Sequence, residues 1–228
     1  MLNSIRINPE PVLYSRIPAL AEESDRTVLM VRHSIRESLR AFSIDPALTP
    51  EGEELARRCG KLLSGLDGVS VSFGASPRRR TRDTARCLIE GGGFPMRDIR
   101  DCPEIGDMTI FQHEVDFEAM LRTHNTENVM REYFSTGHAD GLKDMRPFGA
   151  QIVEFLTGNV FDTPCSVFVS HDVLAMAALA ALGVRTFSND DWCGFLHGIL
   201  LTRDADGVWT AAYTIPDFDT GKKFRLFV

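Results

Sequence analysis

A chain of 228 residues with 43% hydrophobic and 25% charged residues is ordinary for a globular protein, long enough for one large α/β domain or two small ones. Its formal net charge of −7 argues against a general nucleic-acid or membrane-surface binder, so an anionic ligand has to be drawn in by a local basic pocket. The five cysteines (Cys59, Cys87, Cys102, Cys165 and Cys193) are odd in number, widely spread and form no Cys-x-x-Cys pair; neither a zinc site nor a disulfide framework is expected.

Residues 1–26 carry Pro9, Pro11 and Pro18 and read as a lead-in that wraps the domain without regular structure. Val28 to Val31 is a short apolar run, the pattern of a strand buried on both faces, and it ends abruptly in Arg32, His33 and Arg36. Residues 37–48 read as a loop. A helix start follows, with Thr49 as N-cap, Pro50 at the first helical position and Glu51 and Glu53 in the first turn. Its apolar face is Leu55, Cys59, Leu62, Leu63 and Leu66. Val69, Val71 and Phe73 alternate with small residues as a second strand, and Ser76-Pro77 turns the chain into a helix from Arg78 to Ile89, closed by Gly91-Gly92-Gly93.

A short strand is expected within 95–102. Glu114 to Phe134 has a helical pattern carrying Phe117, Met120 and Leu121, too large for a simple crossover. The expectation is therefore one domain over 1–228 with a helical cap insertion at about 105–145. Residues 148–158 read as another helix. Ser166 to Ser170 is a second strand that ends in a histidine, His171, followed by Asp172; Val173 to Leu182 is an Ala-rich helix stopped by Gly183. A hairpin around Asp204 to Gly207 closes the chain. Strands alternating with helices predict an α/β fold, a mostly parallel central sheet flanked by helices on both faces.

Three strand ends carry polar clusters: Arg32, His33 and Arg36; Ser76 and the arginines after it; His171 and Asp172. Parallel strands deliver all three to one edge of the sheet, where such folds bind ligands. Guanidiniums pair with phosphate oxygens two at a time, helix N-termini add free N–H groups, and a histidine among fixed cations is discouraged from protonating, which leaves a ring nitrogen free to attack phosphorus. Of Arg78, Arg79, Arg80 and Arg82, only one or two can enter such a pocket; the rest are expected on a solvated face.

These segments resemble the signatures of the histidine phosphatase superfamily, the phosphoglycerate-mutase-like and acid-phosphatase-like proteins. Arg32-His33-Ser34-Ile35-Arg36 resembles Arg-His-Gly-x-Arg, Leu48-Thr49-Pro50-Glu51-Gly52 resembles Leu-Thr-x-x-Gly, and Ser76 to Ala85 resembles Ser-Pro-Leu-x-Arg-Ala-x-Gln-Thr-Ala, with Arg80 on the pocket arginine. Pro103-Glu104-Ile105 resembles the segment that holds the acidic proton donor of the mutase-like branch, and Ser170-His171-Asp172 matches the second histidine. The resemblance implies a phosphoglycerate-mutase-like fold with His33 as the group that becomes phosphorylated and Arg32, Arg36, Arg80 and His171 as the groups that hold the phosphoryl oxygens. It implies no metal and no cofactor. Two carboxyl groups, Glu104 and Asp172, stand as candidates for the proton donor.

Two departures from the family pattern matter. Ser34 replaces the usual Gly beside the nucleophile, and Asp172 stands where the mutase-like branch has Gly. The leading expectation is a phosphatase acting on a small phosphorylated substrate, with no nucleic-acid or membrane partner. Its N-terminus lacks an apolar run of signal length, and the spread cysteines fit a reducing, cytoplasmic setting. A phosphoglycerate mutase is the alternative, weakened because Glu37-Ser38-Leu39 follows Arg36 whereas mutases resemble Glu-Ser-x-x-Asn just after the His. A catalytically silent phosphate-ligand binder on the same fold is the third reading.

Overall fold

The computed structural model describes residues 4–37, 45–66, 68–96, 98–113, 126–158, 160–188 and 190–220. Its strands are β1 (Arg6–Leu13), β2 (Arg26–Arg32), β3 (Val71–Ala75), β4 (Arg100–Asp101), β5 (Cys165–Ser170), β6 (Gly198–Arg203) and β7 (Trp209–Ile215). The α-helices are α1 (Ile17–Glu22), α2 (Pro50–Leu62), α3 (Arg79–Gly92), α4 (Thr126–Thr136), α5 (Met145–Thr157) and α6 (Asp172–Leu182).

The seven strands form one sheet in the order β1-β7-β6-β2-β5-β3-β4. β2, β5, β3 and β4 run parallel, β1 is parallel to β7, and β6 is antiparallel to both of its neighbours. Every residue of β2 and β5 is buried, as an apolar run without alternation requires. The two faces divide β2 by parity. Val28 and Met30 join the core under α4, α5 and α6, while Leu29 and Val31 join the core under α1, α2 and α3. The expected mostly parallel sheet with helices on both faces is the architecture observed.

Local signals read from the sequence hold. The Thr49 side chain accepts from the Gly52 N–H at 3.0 Å with Pro50 at the helix start. Gly93 and Gly183 end α3 and α6 in the left-handed conformation, φ 69° and 75°, that favours glycine. Packing adds a constraint that pattern does not show: at Gly149 a Cβ would lie 2.2 Å from the Ala177 carbonyl oxygen, so α5 sits backbone to backbone on the Ala-rich α6.

Residues 1–26 depart from expectation. Instead of an unstructured lead-in they supply an edge strand and a short helix. Pro9 and Pro11 lie in β1, which pairs on one side only and whose register slips between Asn8 and Val12; a proline that donates no hydrogen bond is tolerated there. Pro18 sits at the start of α1, where its missing N–H costs nothing. Of the expected 105–145 insertion, Glu114, Phe117, Met120, Leu121 and His124 lie outside the described residues. In the described remainder Phe111 bridges Leu142, and Ile110, Met130, Tyr133 and Leu142 pack into the core under α5 and α6. Among the described residues no helix is long and apolar enough to cross a membrane.

Candidate active site

Register delivers the polar clusters to one place. Arg32 pairs with Ser170 and Ala75 with Val169, so the residues that follow leave the sheet side by side. The His33 N–H donates to the Ser170 carbonyl at 2.9 Å and the Ser76 N–H to the Val169 carbonyl at 3.0 Å. His33, Ser76 and His171 are thereby the first residues past three adjacent parallel strands, at their carboxyl ends.

His33 is 4% exposed, and its Nδ1 lies 2.7 Å from the Ser34 carbonyl oxygen. A carbonyl can only accept, so Nδ1 carries the proton and Nε2 keeps its lone pair. Burial, reinforced by Arg80, His171 and Arg32, holds the imidazole pKa well below its usual value, so the ring is neutral at physiological pH. Ser34, the departure from glycine, turns its hydroxyl away. Its Oγ donates to the Gly52 carbonyl at 2.7 Å and its N–H to Thr84 Oγ1 at 3.0 Å, which ties the residue after His33 to α2 and α3.

Arg32 is fixed from the far end of the chain. It donates to the Cys193 carbonyl at 2.6 Å, pairs with Asp172 at 3.1 Å and lies 4.1 Å over the Phe195 ring. Phe195 also stands 6.1 Å from the His33 ring. Leu196, fully buried, takes φ 62°, a strained conformation for a branched side chain, and is pinned there: its N–H donates to the Arg32 carbonyl at 3.1 Å, while the Leu196 carbonyl accepts from the Tyr14 hydroxyl at 2.6 Å. Asp172 accepts in addition from the Trp192 indole N–H and the Val173 N–H, each at 2.9 Å. Burial pushes this carboxyl up, but Arg32 and the two N–H donors outweigh it and hold it below the ordinary range.

Arg80 closes the other side. Its guanidinium donates to Asp107 at 2.7 Å and to His171 Nδ1 at 3.3 Å, and stands 3.5 Å from Asp45. Because arginine only donates, His171 Nδ1 accepts, and Nε2–H donates to Ser76 Oγ at 2.8 Å. Burial drops the His171 pKa to about 3. Arg78 Nε also donates to Asp107, at 2.9 Å; burial opposes ionisation of that carboxyl, but His171, Arg80 and Arg78 lower its pKa to about 2. Arg36 is half-buried and donates to the Glu37 carbonyl at 2.9 Å; burial and the nearby Arg80 and Arg32 lower its pKa to about 10, against the pull of Asp172.

The structure thus brings together Arg32, His33, Arg36, Arg80, His171 and Asp172. Glu104 is exposed on the turn Pro103–Ile105, which is held beside β5 where Ser170 Oγ donates to the Ile105 carbonyl at 2.8 Å. Arg79 and Arg82 are on the solvated side, paired with Asp83 and Asp101. His138 is exposed and pairs with Asp144, and buried His197 bonds Tyr213. Sequence reasoning missed Asp45, Asp107, Trp192 and Phe195.

A model of the histidine phosphatase superfamily, branch 1, matches residues 28–192. The chain belongs to that superfamily. No curated protein matches it in sequence. The superfamily fold is seen directly in solved structures. Phosphoglycerate mutase from Bacillus anthracis aligns with TM-score 0.55 at 16% identity, over 84% of this chain and 93% of its own. Mycobacterial glucosyl-3-phosphoglycerate phosphatase aligns at 0.54 and 17%, over 83% and 98%. Phosphoserine phosphatase from Entamoeba histolytica aligns at 0.53 and 14%, over 82% and 96%.

Proposed function

We propose that this superfamily member is a metal-independent phosphatase that hydrolyses a small phosphomonoester through a phosphohistidine on His33, in the cytoplasm. The observation that carries the reading is the neutral, buried His33 whose Nδ1–H is committed to Ser34, leaving Nε2 as nucleophile among arginines.

In the first step Nε2 forms a bond to phosphorus as the bond to the alcohol oxygen breaks. Arg32, Arg36 and Arg80 hold the equatorial oxygens and offset the charge of the transferring group, the work a metal ion does elsewhere. His171 is the fourth oxygen ligand. When Arg80 turns to phosphate, Nδ1 takes a proton brought in by the phosphomonoester monoanion; the imidazolium keeps Nε2–H on Ser76 Oγ at 2.8 Å while Nδ1–H donates to a phosphoryl oxygen. The leaving alcohol takes a proton from a carboxyl group, Asp172 or Glu104; the same group then takes a proton from the water that attacks phosphorus and frees His33.

Two of the structural neighbours above are named as phosphatases and one as a phosphoglycerate mutase, so the fold houses both activities and the choice of hydrolysis rests on experiment. The test is His33→Ala. It abolishes turnover of an aryl phosphate while the far-ultraviolet spectrum stays unchanged, and wild-type enzyme quenched during turnover carries an acid-labile, base-stable phosphoryl label. Activity retained within about tenfold in the variant overturns the mechanism.

A further inference from the structure

The site has a cationic floor and an anionic rim. Arg32 and Arg80 are each paired with carboxylates more exposed than themselves. The Arg80 side chain is 8% exposed, against 37% for Asp45 and 28% for Asp107. Arg32 is 7% exposed against 20% for Asp172. Three separate segments supply these carboxylates. Asp45 precedes α2 and accepts the Arg79 N–H with both oxygens at 3.0 Å, Asp107 follows β4, and Asp172 opens α6. All three are held by arginine or N–H donors, and Asp107 and Asp172 lie below the usual carboxylate range.

Two consequences follow for a bound ester. His33 is buried at the floor, so in-line attack points the leaving oxygen away from it, toward the mouth where the carboxylates stand. The alcohol part of the substrate therefore emerges between the carboxyl groups of Asp45, Asp107 and Asp172. The charge count sharpens this. Both histidines are neutral, and among the described residues the arginines 32, 36, 78 and 80 are set against Asp45, Asp107 and Asp172, leaving one positive charge. A single phosphoryl group uses that charge up. Among the described residues, a second anionic group on the same substrate meets no free cation there; it faces the carboxylates of Asp45 and Asp107 and the carboxyl group of Asp172.

We infer that the carboxylate rim selects phosphomonoesters whose alcohol part is uncharged or cationic and rejects those that carry a carboxylate or a second phosphate. This rests on the phosphatase reading above and narrows its substrate class. It also turns the site away from phosphoglycerate-like substrates. Repulsive groups of this kind give specificity by penalising the wrong ligand.

The experiment compares kcat/KM for three esters of similar size: aminoethyl phosphate, hydroxyethyl phosphate and carboxymethyl phosphate. The expected order is cationic, then neutral, then anionic, with carboxymethyl phosphate at least about tenfold below hydroxyethyl phosphate in low salt and the gap narrowing as salt screens the rim. Asp107→Asn and, separately, Asp45→Asn shrink the neutral-to-anionic ratio about threefold or more. Because the ratio is internal to each protein, it is read even where a variant loses stability, and the wild-type ratio alone decides if neither variant folds. Equal turnover of the three esters, or a preference for the anionic one, overturns the proposal while leaving the phosphatase reading intact. Failure to turn over these esters and an aryl phosphate alike brings down the phosphatase reading, and this proposal with it.

Discussion

Arg32 and Asp172 meet at 3.1 Å across two adjacent parallel strand ends, one side chain 7% and the other 20% exposed. A pair this shielded couples the phosphate ligand to the carboxylate beside it. When a phosphoryl group takes over the guanidinium, Asp172 loses part of what kept it ionised and gains an anionic neighbour, and both changes raise its pKa. On the proposed mechanism, with Asp172 as the donor, ligand binding itself prepares the acid.

The first prediction follows. Asp172→Asn lowers turnover of an alkyl phosphate by about a hundredfold and that of an activated aryl phosphate much less, because only the poor leaving group needs the proton. Glu104→Gln leaves the ratio of the two rates where it was. The opposite pattern moves the role to Glu104.

Arg80→Lys removes the fork that spans Asp107, Asp45 and His171 while keeping a charge. We expect kcat/KM to fall about a hundredfold or more. Chelating agents leave wild-type rates unchanged, since guanidiniums already supply the positive charge at the phosphoryl oxygens; inhibition reversed by added metal contradicts this.

Stability carries a pH signature. His33 and His171 stay neutral when folded but take up protons near pH 6.5 when unfolded, so below about 6.5 the unfolded state binds more protons and stability falls with pH. The window runs down to about 3 for His171. Each histidine contributes up to about 1.4 kcal/mol per pH unit. Asp107, lowered to about 2, adds a further loss only below its unfolded value of about 3.9. Urea midpoints measured from pH 7 to 4 check this: His171→Asn flattens the slope, and a flat wild-type profile refutes it.

Gly52→Ala would place a Cβ 2.0 Å from the Ile35 carbonyl oxygen, forcing α2 off the segment that follows the nucleophile. The expected cost is about 1–3 kcal/mol, read as a lower Tm, with a loss of kcat/KM because the Gly52 carbonyl also holds Ser34. Ser34→Gly costs about 1 kcal/mol of stability through the lost hydrogen bond and leaves turnover nearly intact.

What could be read in advance was what local chemistry dictates. β2 and β5 are apolar runs with no other home, Thr49-Pro50 announces a helix, and Gly183 ends one. Residues His33, Arg80 and His171 stood out because each ends a strand or opens a helix. β1 was misread because proline usually stops a strand, and nothing local says that this one lies at an edge. Asp45, Trp192 and Phe195 were invisible for a related reason. Their roles exist only once Arg79 N–H, Asp172 and Arg32 arrive from segments 20 to 163 residues away, and no periodicity encodes that.

The strand order has a consequence for how the protein is made. β2 delivers His33 at its end, yet its two partners are β5 and β6, made from residues 165–170 and 198–203. On a ribosome His33 emerges early and waits through more than half of synthesis with both edges of β2 open. The pocket around His33 is complete only when the last quarter of the chain docks, so a prematurely terminated product carries the signature residues without the assembled site, and its bare β2 is a template for misassembly.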